Sequence, residues 1–145
     1  MDITPEQRAM HYNGYFRRSA GMEDEELTHV GPGTACGEYF RRFWLPVCMT
    51  DEVSERPAVV RALGEELVAF RDLSGRYGLI HKYCSHRRAS LEFGIVAERG
   101  IRCCYHGWLY DIDGTILDVP GEPANSPIPG NLCHGAYPVR DVHGL

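Results

Sequence analysis

The sequence predicts a mostly β fold, a small antiparallel sandwich preceded by a short helical leader. Two observations carry that expectation. From residue 45 onward short apolar runs alternate with turn dipeptides such as Ser74-Gly75 and Asp113-Gly114. The 145 residues also include 16 Gly and 9 Pro, which favour frequent chain reversal over long helices. This length suits one domain with enough volume to bury a core.

The elements follow in order. Thr4 can cap a helix over residues 4–18, with Pro5 at its first position and Gln7 completing a capping box. The acidic stretch Glu23-Asp24-Glu25-Glu26 reads as solvated surface, and Gly31-Pro32-Gly33 as a turn. A short helix is expected over 38–43, with Tyr39, Phe40 and Phe43 on its apolar side. Residues 1–44 therefore form the leader and 45–145 the β domain. Residues 45–49 read as the first strand. Residues 58–63 and 67–71 flank Gly64-Glu65 as a hairpin, and 77–80 follow the Ser74-Gly75 turn. Residues 94–97 and 101–103 flank Glu98-Arg99-Gly100 as a second hairpin. Strands over 108–112 and 115–118 complete the set, and Pro120–Pro129 reads as a loop.

The formal net charge of −5 is unfavourable for binding nucleic acid or an anionic membrane. No apolar run approaches the roughly eighteen residues of a membrane-spanning helix. The N-terminus has no basic stretch followed by an apolar one, so the expected location is the cytoplasm. Thiols there stay reduced, which disfavours reading the six cysteines as three disulfides.

Two cysteines sit beside histidines at tight spacing. Cys84-Ser85-His86 is followed, after sixteen residues, by Cys103-Cys104-Tyr105-His106-Gly107-Trp108. Each half offers one thiolate and one imidazole, and a hairpin between them can bring the two loops side by side. In a Rieske-type [2Fe–2S] centre, two Cys bind one iron and two His replace Cys on the other. The candidate ligands are Cys84, His86, Cys103 and His106. Cys84 and Cys103 would hold a buried ferric iron, and His86 and His106 an outer, solvent-facing iron that gains the electron. A zinc site is the chemical competitor, but zinc fingers pair Cys with Cys and His with His. Here each half mixes the two.

The run Cys84-Ser85-His86-Arg87-Arg88-Ala89-Ser90-Leu91-Glu92-Phe93-Gly94, with Cys103–Trp108 and Tyr110-Asp111, resembles the Rieske domain of ring-hydroxylating oxygenases. It is most similar to the phthalate dioxygenase-like terminal oxygenases. Leu27–Thr34, Arg41–Val47 and Asp118–Pro123 carry the same resemblance. The likeness implies a Rieske-type β-sandwich with two cluster-binding hairpin loops and one [2Fe–2S] cluster per chain. It selects Cys103 over Cys104 as ligand by its spacing to His106. It also implies a second domain holding mononuclear Fe(II) through two His and one carboxylate.

No such triad is legible in this chain. His81 and His86 are five apart, but His86 is already a candidate ligand, and His11, His29, His134 and His143 read as ordinary surface or core histidines. The expected role is therefore electron relay. A flavin/iron-sulfur reductase or a ferredoxin would be the donor. The mononuclear iron of an aromatic-ring-hydroxylating or O-demethylating oxygenase would be the acceptor. By resemblance the full-length protein would be a homotrimer, and this domain would continue past Leu145 into one more strand. The chain alone is not expected to be an active oxygenase. A stand-alone Rieske ferredoxin is the alternative; the leader and the Tyr105–Trp108 run favour the oxygenase.

Smaller expectations surround the motif. Cys36, Cys48 and Cys133 read as buried or idle thiols. Gly107 either lets the backbone approach the cluster or simply makes a turn. Trp108 shields the ligand loops, and Tyr110 can donate its hydroxyl to the Cys84 sulfur. Pro120 either covers the cluster from a third loop, as the resemblance implies, or is a plain loop proline. Respiratory family members add a disulfide between the ligand loops and a serine hydroxyl on the cluster. Here those positions hold Ala89, Tyr105 and Trp108, so the expected potential is low, roughly −150 to 0 mV. Residues 81–106 carry five cations (Lys82, Arg87, Arg88, Arg99 and Arg102) against Glu92 and Glu98, a surplus of three beside the proposed centre.

Overall fold

The computed structural model describes residues 22–53 and 56–145, so the helix expected over 4–18 lies outside the described residues. In the leader, α1 (Glu25–Thr28) starts where the Asp24 carboxylate accepts from the Glu26 N–H, and α2 (Ala35–Phe40) where Thr34 Oγ1 accepts from the Gly37 N–H. Each cap satisfies a backbone donor that the first helical turn leaves unpaired. The acidic residues 23–26 are exposed, as expected, but part of the stretch is helical.

The β domain is two antiparallel four-stranded sheets. The first has the order β1 (Ala58–Ala62), β2 (Glu65–Arg71), β3 (Tyr77–His81) and β8 (Ala136–Tyr137). The second runs β4 (Ile95–Val96), β5 (Ile101–Arg102), β6 (Leu109–Tyr110) and β7 (Ile116–Asp118). A kinked helical turn, α3 (Ile128–Asn131), lies between β7 and β8.

β2 shows why the sheets pack as they do. Leu67, Val68, Ala69 and Phe70 are all buried, so both faces of the strand are covered. Val68 and Phe70, with Ile80 of β3, face Leu91, Ile101, Tyr110 and Ile116 of the second half. Leu67, Ala69 and Leu79 point the other way and pack under Val47, Cys48, Tyr137 and Val139. This alternation is the period-two geometry of a strand, and each fully buried large side chain contributes about 1.5–3 kcal/mol.

Charged side chains fasten one end of the sandwich. Arg76 Nη2 reaches Asp72 Oδ2 at 2.6 Å and Asp111 Oδ1 at 3.0 Å, and Arg99 Nε donates to Asp111 Oδ2 at 2.7 Å. Asp72 also accepts from the Gly100 N–H at 3.3 Å. These contacts join the β2–β3 turn, the β4–β5 turn and the end of β6. Gly100 has φ +80°, and an added Cβ would collide with the Tyr110 carbonyl oxygen.

Three expectations need correction. Residues 45–49 form no strand: Pro46 lacks an N–H for a ladder, and Val47 and Cys48 instead cover the outer face of the first sheet. The expected helix over 38–43 begins earlier, at Ala35, because Thr34 supplies the cap, and it ends at Phe40. The first hairpin turns at Leu63-Gly64, with φ of 46° and 76°, and Ala62 pairs with Glu65. That placement seats Gly64 against the Gly31 backbone and frees Glu65 to bind Arg41 at 2.8 Å. Among the described residues no helix is long and apolar enough to cross a membrane.

Candidate metal centre

The end opposite the Asp72–Asp111 clamp carries both Cys/His loops. β3 delivers the first, closed by a bridge between Tyr83 and Ser90. β5 delivers the second, which returns as β6.

The two loops share one backbone design. In the first, the Cys84 N–H donates to the Ala89 carbonyl at 2.9 Å and the Arg88 N–H to the Cys84 carbonyl at 2.9 Å. In the second, Cys103 N–H donates to Trp108 O at 2.8 Å and Gly107 N–H to Cys103 O at 3.0 Å. Arg88 (φ 61°) and Gly107 (φ 76°) occupy the same left-handed position. Each loop is thus a tight turn with its cysteine at the base. The histidines sit two residues on in one loop and three in the other, and this offset still lets the His86 and His106 rings meet, with centroids 4.7 Å apart.

The sulfurs and imidazoles are sorted by depth. Cys84 is 2% exposed and Cys103 3%, whereas His86 and His106 are exposed. Burial pushes the Cys103 thiol up, and its neighbour Cys84 adds to the rise, while the Tyr105 and His106 backbone N–H groups oppose it. Two adjacent thiols in a dry core are poor anions by themselves; a bound cation makes them thiolates. Among the described residues, no three of His, Cys, Asp and Glu converge on one point as a single metal ion would need. The donors form an inner thiol pair and an outer imidazole pair, which suits a two-iron centre with sulfur ligands inside and nitrogen ligands outside.

The surrounding groups hold this arrangement. The Trp108 indole lies parallel to the His86 ring, 2° between planes and 4.9 Å between centroids. Pro120 of the third loop covers Gly107, whose added Cβ would lie 3.2 Å from Pro120 Cγ. The buried Tyr110 hydroxyl is 3.0 Å from Cys84 Sγ. Burial, reinforced by Cys84, holds that hydroxyl protonated far above the ordinary tyrosine range. The proton is therefore present, and toward a Cys84 thiolate, which has no hydrogen to give, the hydroxyl is the donor.

The expected cationic surplus is mostly neutralised. Lys82 pairs with Glu66 and Glu92, Arg102 with Asp118, and Arg99 with Asp111 at the far end. Arg87 and Arg88 make no ion pair among the described residues; Arg88 lies over the Tyr83 ring at 5.1 Å. Cys104 and Cys133 are exposed, and Cys36 and Cys48 are half-buried.

Sequence reasoning missed two participants, Ser85 and His134. His134 is 3% exposed and hydrogen-bonds Ser85 Oγ at 2.7 Å, directly behind the first loop. No local pattern marks it, because its partners are 49 and 53 positions away.

Residues 43–135 match the Rieske [2Fe-2S] domain family. The chain is 50% identical over 137 residues to the tert-butanol monooxygenase / tert-amyl alcohol desaturase oxygenase subunit of Aquincola tertiaricarbonis, across 92% of this chain and 29% of that one. It is 45% identical over 122 residues to the phthalate 4,5-dioxygenase oxygenase subunit of Pseudomonas putida, across 82% of this chain and 28% of that one. It is similar to a chain of the reduced complex between oxygenase and ferredoxin in carbazole 1,9a-dioxygenase. That match has a TM-score of 0.62 and 31% identity, over 72% of this chain and 27% of that one. The chain thus spans less than a third of the length of these relatives.

Proposed function

The chain belongs to the Rieske [2Fe-2S] domain family, and from that premise we propose that it relays single electrons within an oxygenase. Cys84 and Cys103 hold the inner iron of the cluster, and His86 and His106 the outer one. The donor is a flavin/iron-sulfur reductase or a ferredoxin, and the acceptor is a mononuclear non-haem iron in a catalytic domain. When bound, the cluster supplies a one-electron couple. The chain's own residues do the rest. The buried cysteines exclude water from the sulfur side, and Trp108 fixes the His86 ring plane. Exposed His86 and His106 bring the outer edge within reach of a partner. Arg87 and Arg88 offer positive charge to an acidic donor surface beside those rings.

The observation that carries this reading is the pair of exposed imidazoles above a pair of buried thiols. The oxygenase subunits among its relatives favour a catalytic-domain acceptor over a free-standing carrier. Anaerobic mixing with a reduced ferredoxin tests it. The chain takes up one electron, the visible bands bleach, and Arg87→Glu/Arg88→Glu slows the step most at low salt. No uptake from any reductase or ferredoxin contradicts the relay. So does hydroxylation of an aromatic acid by this chain with only reductase and O₂ supplied.

A further inference from the structure

His134 belongs to neither ligand loop, yet it is buried where three segments meet. Its backbone N–H donates to Gly114 O in the β6–β7 turn at 2.7 Å. Its ring lies 4.6 Å from that of Tyr110. Nε2 is 2.8 Å from the His81 carbonyl at the end of β3, and Nδ1 is 2.7 Å from Ser85 Oγ. A carbonyl can only accept, so Nε2 carries the hydrogen. In the neutral ring Nδ1 then accepts from the Ser85 hydroxyl. Burial, the main cause, holds the imidazole below its ordinary range, in keeping with that neutral tautomer.

We propose that His134 is a positioning residue for the cluster, acting through Tyr110. Ser85 Oγ and the His81 carbonyl fix the His134 ring, and that ring packs 4.6 Å from the Tyr110 ring, whose hydroxyl reaches Cys84 Sγ. The relay runs Ser85, His134, Tyr110, Cys84, by a hydrogen bond, a ring contact and a second hydrogen bond. The inference rests on the reading of Cys84 as a cluster ligand. It adds a residue outside the motif that tunes the sulfur environment. A purely structural histidine would affect folding and leave the sulfur's hydrogen bond as it was.

The test uses the full chain carrying Ser85→Ala, Ser85→Thr, His134→Phe and Tyr110→Phe, plus Ser85→Ala/Tyr110→Phe. Iron and sulfide content is measured first, then the reduction potential by film voltammetry and the EPR g values of the reduced state. Ser85→Ala and His134→Phe are expected to retain the cluster, lower the potential and shift the g values in the same direction. Ser85→Thr, which keeps the hydroxyl, stays at the parent value. In the Tyr110→Phe background, Ser85→Ala adds no further shift, because the relay is already cut. An unchanged potential in Ser85→Ala, or a full additive shift in the double variant, overturns the proposal even if His134→Phe fails to fold. A parent chain that binds no cluster instead overturns the ligand reading on which the proposal depends.

Discussion

The hydroxyl oxygen of Tyr110 lies 3.0 Å from the sulfur of Cys84, in the dry interior between the two sheets. A hydrogen bond to a ligand sulfur stabilises the more negative, reduced state. Tyr110→Phe removes one proton donor and leaves the ring packing intact. The potential should fall by about 40–60 mV, the equivalent of one hydrogen bond of about 1–1.5 kcal/mol for a one-electron couple. Film voltammetry of parent and variant checks this, and equal potentials would remove Tyr110 from the account.

The matched loops make opposite predictions at their shared left-handed position. Arg88 pays a backbone cost of about 1–2 kcal/mol there, partly offset by about 0.5–1 kcal/mol from its contact with Tyr83. Arg88→Gly should therefore keep its full iron content and melt at or slightly above the parent temperature. Gly107→Ala meets both the positive φ and Pro120, and should lose about 1–3 kcal/mol together with part of its iron. Thermal melts with iron analysis decide. Equal losses in the two variants would mean that the left-handed backbone at Arg88 carries no net cost.

Acid should open the clamp end first. Asp72 and Asp111 are both held below the ordinary carboxylate range. Burial alone would raise them, but hydrogen bonds from Ser74, the Arg76 and Gly100 backbone and the Arg76 side chain to Asp72 outweigh it. Those from Arg99 and the Ile112 backbone, with the charges of Arg76 and Arg99, do the same for Asp111. A depressed folded pKa contributes stability that is complete above the unfolded value and is lost as pH falls through the folded one. Denaturant melts should thus show a shallow loss as pH falls below about 6.5, where buried neutral His134 favours the unfolded, protonated form, and a steep decline below about pH 4 from the two carboxylates. Asp111→Asn should be less stable at pH 7, by about 1–3 kcal/mol, with a flatter acid limb. An unchanged acid limb would place the pH sensitivity elsewhere.

The four candidate ligands were far more legible than the side chains packed around them. Cys84, His86, Cys103 and His106 stand in two short runs, so spacing alone brings each thiol near its imidazole. Tyr110 was visible because it sits on the strand leaving the second loop. Ser85 and His134 were not, because their hydrogen bond joins segments that only the folded sheets bring together. The same physics explains the errors in the fold. Residues 45–49 have strand composition but find no ladder partner. The Leu63-Gly64 turn is set by contact with Gly31, which local turn preference does not contain. β8 is two residues long and exists because β3 offers a free edge. The charge surplus at 81–106 was real in sequence, but most of those cations find carboxylates in space.

Whether Cys84, His86, Cys103 and His106 hold a [2Fe–2S] cluster is read out by metal and acid-labile sulfide analysis of the aerobically purified chain together with its visible spectrum. The protein should be red-brown with two iron and two sulfide per chain, and Cys84→Ser and His106→Ala should lose the colour. A colourless protein carrying one zinc per chain would rule the cluster out.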